Sequence, residues 1–447
     1  MQERARTTYA LAVLFAANTL NFFDRQILGA VGEPIRREWA LGDGALGALG
    51  TAFTLLYAFV GIPLGRLSDR MRRPRILAGG VFGWSLLTAF SGMATSFWQL
   101  FMLRLGVGVG EASCAPAATS LIGDLVPAAR RARALSIFML GLPVGIALSY
   151  AVSAAVAQEW GWRAAFLVAG PPGLVCAAAV LAIDEPRRGR AEAHHVGARR
   201  RAGCAYRLVL EIPTMWWLIA SGALHNFNMY AIATFLSPFL MRFHGVGLRD
   251  AGVIAMAVYG VTGAAGLLLG GFASDAGLRV RPNGRLLVGA AATLVSVPLL
   301  LMALSRPAGD AAGFATLMGA ACALMYMYYS TVYATIHDIL EPALRGTAMA
   351  VYFFAMYVLG ASLGPFGTGL ASDHFTARAA WAAGMGHLTG AALEPFRAQG
   401  LHAALYIVPA LDLLLALVLW AGALTVGSDR DKLERWMRGA ARPAAEN

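Results

Sequence analysis

The chain has 447 residues, of which 58% are apolar and only 14% are Asp, Glu, Lys or Arg, whereas an average soluble protein has about 25% charged residues. This composition excludes a disordered chain, a disulfide-stapled secreted module and an ordinary soluble enzyme, and it is typical of a polytopic helical membrane protein. The net charge of +11 gives no reason to expect a nucleic-acid partner, because basic loops also orient membrane proteins.

Twelve apolar runs, each long enough for a membrane helix, follow one another along the chain. The first run follows Arg4 and Arg6, as in a signal peptide, but it is too long and contains Asp24 and Arg25, so we expect a retained helix. We therefore predict an all-α protein with twelve transmembrane helices. The predicted spans are residues 8–31, 44–65, 76–96, 98–123, 134–157, 163–183, 213–241, 250–273, 286–305, 311–336, 346–371 and 401–425.

The basic residues are distributed unevenly between the two sides of the membrane. With the N-terminus in the cytoplasm, the cytoplasmic segments contain 26 Lys and Arg residues and the outer loops contain 8. Because cytoplasmic loops carry the excess of positive charge, we expect both termini to be cytoplasmic. This orientation requires an even number of helices, which agrees with twelve spans.

A long arginine-rich loop divides the spans into two sets of six. The predicted organisation is a six-helix bundle over residues 1–183, a cytoplasmic linker over 184–212, a second six-helix bundle over 213–426 and a cytoplasmic tail over 427–447.

The two bundles repeat a short pattern at equivalent places. The second span closes with Gly65-Arg-Leu-Ser-Asp69, and the eighth closes with Gly271-Phe-Ala-Ser-Asp275. Such repetition indicates a transporter built from two pseudo-symmetric halves, with its site between them near the membrane midplane. Residues 372–400, between the last two spans, are predicted to be a long outer loop.

Three segments resemble motifs of a known family. The segment from Gly65 to Arg75 resembles the signature loop G-x-x-x-D-R-x-G-R-R of the major facilitator superfamily, with Arg72 in place of the second glycine. Asn21-Phe-Phe-Asp24-Arg25 resembles the N-[YF]-x-D-R motif of the spinster family, and the segment from Arg104 to Ser113 resembles its R-x-x-x-G-x-G-E-A-S motif. The spinster resemblance covers roughly residues 15–185.

The resemblance implies the major facilitator fold and a transporter activity. Spinster proteins are implicated in moving sphingolipids and lysophospholipids, so the implied substrate is a lipid or amphiphile and the implied driving force is a proton gradient, with no cofactor. The chain is identified as a bacterial homologue, which implies an inner (cytoplasmic) membrane location. We expect a monomer that interacts with its substrate, protons and membrane lipids.

Four ionisable residues lie deep within the first and fourth spans: Asp24, Arg25, Arg104 and Glu111. A charged side chain there costs at least about 2.5 kcal/mol, which favours a functional role. Asp24 and Arg104 both lie about 10 Å below the outer edge, and Glu111 lies almost two helical turns deeper on the face of Arg104. We expect Asp24 and Glu111 to carry protons and the two arginines to switch between them as partners. The alternative is a static ion pair that fixes helix packing.

A second group of charged residues is predicted to latch the cytoplasmic side when the cavity opens outward. By resemblance, Asp69 faces the positive end of the eleventh helix, and Asp275 takes the same role near Arg133. The alternative is ordinary positive-inside charge. The latch residues are Asp69, Arg70, Asp124, Arg130 and Asp275.

Polar and aromatic residues that share helix faces are candidates for a substrate cavity. An amphiphile needs aromatic walls for its tail and a few polar anchors for its head group, although an aromatic stripe also fits helix packing. The candidates are Asn18, Asn21, Asn226, Tyr230, Tyr326, Tyr329 and Tyr333. Whether Asp412 or His225, which also lie within apolar runs, titrates is left open.

The sequence does not contain the residues that other classes of membrane protein require. An intramembrane lipid enzyme needs a nucleophile with a base or a metal cluster, but the histidines and the four cysteines are scattered, so we expect neither catalysis nor a metal site. A primary ATP-driven pump needs a P-loop, which the chain does not contain. A proton-coupled drug or metabolite exporter of the same fold remains the alternative to lipid transport.

Overall fold

The computed structural model describes residues 2–68, 71–186, 205–341 and 344–441. These residues form helices joined by short connections, and no strand occurs among them. The predicted all-α class is therefore confirmed. The helices of the N-terminal half are α1 (Gln2–Glu38), α2 (Asp43–Ser68), α3 (Arg73–Ser91), α4 (Phe97–Glu111), α5 (Cys114–Leu125), α6 (Ala128–Met139), α7 (Gly141–Trp160) and α8 (Trp162–Leu181).

The C-terminal half repeats this arrangement with more irregular helices. Two short π-helical segments, Met256–Val261 and Met356–Ala361, interrupt its long helices, and a 3₁₀ helix covers Gly390–Phe396. Its helices are α9 (Ala205–Leu210), α10 (Pro213–Phe243), α11 (Leu248–Ala255), α12 (Thr262–Val280), α13 (Gly284–Leu304), α14 (Ala311–Asp338), α15 (Arg345–Ala355), α16 (Leu363–Ala382), α17 (Arg397–Leu405) and α18 (Ile407–Ala441).

Several predicted spans are broken within the membrane, and prolines account for three of the breaks. A proline has no N–H to bond the carbonyl four residues earlier. Pro116 therefore cannot donate to the carbonyl of Ala112, between α4 and α5, and Pro143 cannot donate to that of Met139, at the end of α6. Pro365 likewise cannot donate to the carbonyl four residues earlier. Just before it, the Ser362 N–H donates to the carbonyl of Tyr357, five residues earlier, as in a π helix.

Nine stretches of the described helices are long and apolar enough to cross a membrane by length and composition. Helices α1, α3 and α10 are not among them, although they coincide with predicted spans. Polar residues such as Arg25 on α1 and His225 on α10 lower the hydropathy of these helices. The twelve-helix architecture is nonetheless consistent with the arrangement of the helices.

The predicted outer loop over residues 372–400 was wrong. Helix α16 continues to Ala382, the 3₁₀ helix follows, and α17 begins at Arg397. The apolar run ends near residue 371 because this part of the helix carries polar residues, which form hydrogen bonds to other helices. Asp373 accepts hydrogen bonds from the N–H groups of Asp43 and Gly44, both at 2.8 Å.

The two halves pack against each other through a few helix pairs. Helix α2 packs along α16, α1 packs on α10, and α7 packs on α11. Gly47 on α2 lies against the backbone of α16, where any side chain would overlap the carbonyl oxygen of Pro365. This close packing brings α1, α2 and α10 together around the residues described next.

Candidate functional site

An ion pair within the membrane joins α1 to α4. Arg25 Nε donates to Glu111 Oε2 at 2.7 Å, and the exposed fractions of the two side chains are 5% and 0%. The Arg25 guanidinium also lies over the rings of Phe22, Phe53 and Tyr57, at 4.8, 4.9 and 4.4 Å from their centroids. The cation is therefore held by one carboxylate and by the electron-rich faces of three rings.

Asp24 and Arg104 meet beside this ion pair, but through the backbone. Arg104 Nη2 donates to the main-chain carbonyl of Asp24 at 2.9 Å, and both side chains are buried. The Asp24 carboxylate accepts only a long hydrogen bond from Thr88 Oγ1, at 3.4 Å. In this conformation Arg104 therefore positions α1 without forming an ion pair with the Asp24 carboxylate.

Several buried polar atoms of this group have no partner. Buried polar groups are usually hydrogen-bonded, so the unused atoms mark a place where a proton, a water molecule or a substrate group can bind. They are Asn21 Nδ2, Asp24 Oδ1, Arg25 Nη1, Arg104 Nε and Nη1, and Glu111 Oε1.

The sequence explains how these side chains come together. Gly108, one turn before Glu111, lies against the backbone of Phe53, so α4 approaches α2 closely enough for Glu111 to reach the ring-lined space around Arg25. The break at Ala112 ends α4 directly after Glu111. The placement of Asp24, Arg25, Arg104 and Glu111 in one buried group agrees with the depths read from the sequence.

The predicted tyrosines form a continuous series of ring contacts on α14. Tyr326 and Tyr329 lie 5.8 Å apart, and Tyr329 and Tyr333 lie 5.7 Å apart, all between ring centroids. Tyr230 on α10 approaches Tyr357, at 6.4 Å.

Two further tyrosines, which sequence reasoning missed, connect this aromatic series to the ion pair. Tyr57 on α2 lies beside Arg25 and contacts Tyr357 of the other half, with ring centroids 5.0 Å apart. Tyr357 belongs to the π segment, whose position no spacing rule marks. Tyr57 could have been identified from its position on α2, opposite the Asp24–Arg25 motif of α1.

The three predicted asparagines differ in their bonding. Asn18 Nδ2 donates to the carbonyl of Phe138 at 2.8 Å, and Asn226 Nδ2 donates to Gly222 of its own helix at 3.1 Å. The Asn21 amide nitrogen has no partner. Of the three amide nitrogens, only that of Asn21 therefore makes no hydrogen bond in this conformation.

Of the predicted cytoplasmic latch residues, the structure describes Asp124, Arg130 and Asp275, and the ion pairs of Asp124 and Asp275 with Arg73 and Arg285 lie within their own halves. Asp69 and Arg70 lie outside the described residues. Asp124 pairs with Arg73 of the same half at 2.5 Å, and Arg130 is exposed. Asp275 pairs with Arg285 at 3.1 Å, also within its own half, and not with Arg133. The latch was predicted for the outward-open conformation, so it stays a prediction.

An ion-pair cluster at the outer end, which sequence reasoning missed, does join the halves. Arg242 on α10 donates to Glu33 of α1 at 2.8 Å and to both carboxylate oxygens of Asp43, at 2.8 and 2.9 Å. Arg36 binds Glu33 and also Glu394 of the other half. We call Glu33, Arg36, Asp43, Arg242 and Glu394 the outer cluster. Its members come from the ends of separate apolar runs, so neither hydrophobic periodicity nor the spacing of residues in the sequence predicts the cluster.

Within the outer cluster, the ionisation of Glu33 and Arg242 is set by their mutual charges. Burial alone would raise the pKa of Glu33, but the charge of Arg242 and the hydrogen bonds from Arg36 outweigh burial and lower that pKa to about 2. Burial opposes the charge of Arg242 too, yet Asp43 and Glu33 raise the pKa of its guanidinium. Glu33 and Arg242 therefore stay charged at any physiological pH.

Uncharged hydrogen bonds extend the contact between the halves inward from the outer cluster. Tyr150 and Gln26 of the N-terminal half both donate to the carbonyl of Ala233 on α10, at 2.7 and 3.1 Å. Ser237 donates to Ala30 at 3.5 Å. These contacts lie between the outer cluster and the Arg25–Glu111 pair, so the two halves are closed against each other at the end that the sequence predicts to face outward.

Comparison with known proteins places these features among transporters. Residues 14–365 match the Major Facilitator Superfamily. An MFS-type efflux pump of Mycolicibacterium smegmatis is 31% identical over 83% of this chain and 86% of its own. Protein spinster homolog 1 of Mus musculus is 30% identical over 85% of this chain and 75% of its own. A sphingosine-1-phosphate transporter of Danio rerio is 26% identical over 98% of this chain and 89% of its own.

The solved structures with the same fold include a bacterial homologue of the human lysosomal transporter spinster. Its inward-facing, unoccupied structure has a TM-score of 0.87 and 29% identity, covering 95% of this chain and 98% of that one. Its inward-facing, occupied structure has a TM-score of 0.81. The likeness to inward-facing structures agrees with the closed outer side described above.

Proposed function

The chain belongs to the Major Facilitator Superfamily and, within it, to the spinster family, and from this premise we propose that it is a proton-coupled carrier of a lipid or amphiphile. The fold and the relatives are those of integral membrane transporters and not of enzymes. The observation that carries the proposal is the buried Arg25–Glu111 ion pair beside the Asp24 carboxylate, whose Oδ1 has no hydrogen-bond partner.

The coupling step that we propose begins at Glu111. Its second oxygen, Oε1, has no partner and can accept a proton. A neutral Glu111 attracts Arg25 far less than a carboxylate does, so protonation frees the guanidinium from its partner. Because Arg25 lies over the ring of Tyr57, and Tyr57 contacts Tyr357 of the other half, this release changes a contact between the halves.

Asp24 is proposed to accept a proton at another stage of the cycle. Its carboxylate has no basic partner here, while Arg104 is bound to the adjacent carbonyl with two of its nitrogens unused. A rotation of the Arg104 side chain would convert this backbone contact into an ion pair with Asp24. In this proposal, the change of partner by the arginines couples proton binding to alternating access.

The proposed substrate is an amphiphile whose tail contacts the tyrosine rings and whose head group reaches the free nitrogens of Asn21 and Arg25. Among the relatives, one is a sphingosine-1-phosphate transporter, which supports a lipid substrate. An efflux pump and a probable L-galactonate transporter of Escherichia coli, 31% identical over 61% of this chain, favour the second candidate, a drug or metabolite exporter.

The remaining features of the proposal concern the setting of the protein. We infer a bacterial inner membrane with both termini in the cytoplasm, supported by the 26 basic residues of the predicted cytoplasmic segments against 8 outside. We propose a monomer that uses the proton gradient and no cofactor.

Transport by the purified protein in liposomes tests the substrate class. Uptake of a labelled lysophospholipid, a labelled sphingoid base and a cationic drug would be compared with and without an imposed pH gradient. We expect gradient-dependent transport of at least one of the lipids. Transport of the drug alone would contradict the lipid assignment and favour the exporter, and transport unaffected by the gradient would contradict proton coupling.

A further inference from the structure

A second buried carboxyl group lies inside the C-terminal half, far in sequence from the Arg25–Glu111 pair. Asp412 on α18 has no exposed surface and packs between α10 and α13. It contacts Ser296 Oγ of α13, and Asn228 Nδ2 of α10 lies 3.4 Å from its other oxygen. Asn228 and Ser296 also have no exposed surface. The group is therefore a built polar site that joins three helices.

No basic side chain neutralises Asp412 among the residues that the structure describes; its two hydrogen-bond partners are both neutral. The titratable group that interacts with it is the Cys322 thiol of α14. His225, one turn from Asn228 on α10, stacks on Tyr328 instead, with 4.0 Å between ring centroids. An ionised carboxylate in such surroundings is costly, whereas the neutral acid is not.

A count of hydrogens points to a bound proton. Ser296 Oγ lies 2.6 Å from the carbonyl of Thr293 and also contacts Asp412 Oδ2. A hydroxyl group has one hydrogen, while a carbonyl and a carboxylate oxygen only accept. One hydrogen shared between both contacts gives a weakened three-centre bond, whereas a proton on Asp412 would supply a second hydrogen.

The site also contains a spare acceptor. Asn228 Oδ1 is buried and has no partner, while Nδ2 of the same amide donates to the carbonyl of Val408 at 3.1 Å. A buried amide oxygen without a donor is unusual. Asn228, whose Nδ2 lies 3.4 Å from Asp412, therefore keeps an unused acceptor within this site.

We propose that Asp412, Ser296 and Asn228 form a second proton-binding site, located within the C-terminal half. Loss of the proton would leave a carboxylate that competes with the carbonyl of Thr293 for the single hydrogen of Ser296, while the two amide hydrogens of Asn228 allow it to donate to Asp412 and Val408 together. Because Asn228 lies on α10, which also carries Arg242 of the outer cluster, the site connects a protonation event to the helix that closes the outer side.

Infrared spectroscopy of the purified full-length protein tests the proposal without any transport measurement, so its failure is distinct from failure of the proposed function. We expect a carbonyl band of a protonated carboxylic acid that shifts in D₂O, weakens as the pH is raised, and is lost in Asp412→Asn. The same band should persist in Glu111→Gln. A carboxylic-acid spectrum that is identical in the wild type and Asp412→Asn, or unaffected by pH, would overturn the proposal.

A second variant keeps the test decisive if Asp412→Asn does not fold. Ser296→Ala retains the acid but removes its hydrogen-bond partner, so the band should remain and change in frequency; an unchanged band would contradict the assignment. Replacing choline chloride by sodium chloride should leave the wild-type band intact. Loss of the band on adding sodium would identify a sodium site and overturn the proton assignment.

Discussion

At the scale of single residues, the chemistry of the central site depends on the shape of the Arg25 side chain. Its guanidinium donates to Glu111 while lying over three aromatic rings. A lysine keeps the charge but neither the planar fork nor the stacking. Replacing Arg25 by lysine therefore preserves the positive charge but removes the planar hydrogen-bonding fork and the stacking on the rings.

We expect Arg25→Lys to lower gradient-driven uptake at least about tenfold, corresponding to about 1.4 kcal/mol. Initial rates in liposomes check this prediction. Arg249→Lys, an exposed arginine at the start of α11, is the matched control and should transport normally. Equal rates for Arg25→Lys and the wild type would show that charge alone is sufficient.

The pKa of Glu33 predicts how the outer closure responds to acid. Because this pKa is lowered from 4.5 to about 2 in the closed structure, the stabilising contribution of Glu33 is fully present above about pH 4.5 and is lost only as the pH falls towards 2. Outer acidification from neutral pH to about pH 5 should therefore not weaken the contact between Glu33 and Arg242. Distances between spin labels at the outer ends of α1 and α10 check this, and separation of the labels in that range would contradict it.

The residues that sequence reasoning found and missed differ in a physical way. A charge inside an apolar run is visible in the sequence because it violates the hydropathy pattern, so Asp24, Arg25, Arg104 and Glu111 could all be found. The outer cluster is not visible, because Glu33 and Arg242 lie at the ends of runs, where charge is ordinary. Only the fold brings them together.

At the scale of elements, the outer cluster fixes α10 against α1 and α2. Arg242 pairs with two buried carboxylates from the other half, Glu33, which Arg36 also binds, and Asp43. Removing one partner from a buried ion pair costs about 3–5 kcal/mol, because it leaves the remaining charge uncompensated. The loss of Arg242 should therefore favour separation of these helices at their outer ends.

We expect Arg242→Gln to shift the protein towards an outward-open conformation. A cysteine placed at Asn21 should then react faster, by about tenfold or more, with a membrane-impermeant maleimide added from outside. Arg378→Gln, an exposed arginine at the same side of the membrane, is the control and should leave the labelling rate unchanged. Unaltered labelling in Arg242→Gln would show that the outer cluster does not hold the closed state.

The helix boundaries show where local sequence is informative and where it is not. Most apolar runs match helices to within a few residues, since burial in lipid imposes the same composition on all of them. The long extension of α16 past residue 371 was missed because Ser372, Asp373 and Thr376 look like loop residues. They are helical because Ser372 and Asp373 bond to Asp43 across the interface between the halves.

At the scale of the whole molecule, the two-fold repetition of the sequence is reflected in two bundles whose interface carries the candidate site. The family and the fold could be predicted from the motifs around Asp24 and Arg104 and from the repeated pattern ending at Asp275. The sequence could not predict which side is closed, because the same sequence must allow both conformations. The two conformations differ in the contacts between the halves.

The central claim is that protons drive transport through Glu111, and one comparison tests it most directly. Accumulation of substrate under a pH gradient requires proton binding, whereas exchange of labelled for unlabelled substrate without a gradient does not. For Glu111→Gln, the account predicts that gradient-driven accumulation is lost while exchange persists, with exposed Glu159→Gln behaving as the wild type in both assays. Gradient-driven accumulation by Glu111→Gln at the wild-type level would contradict the account.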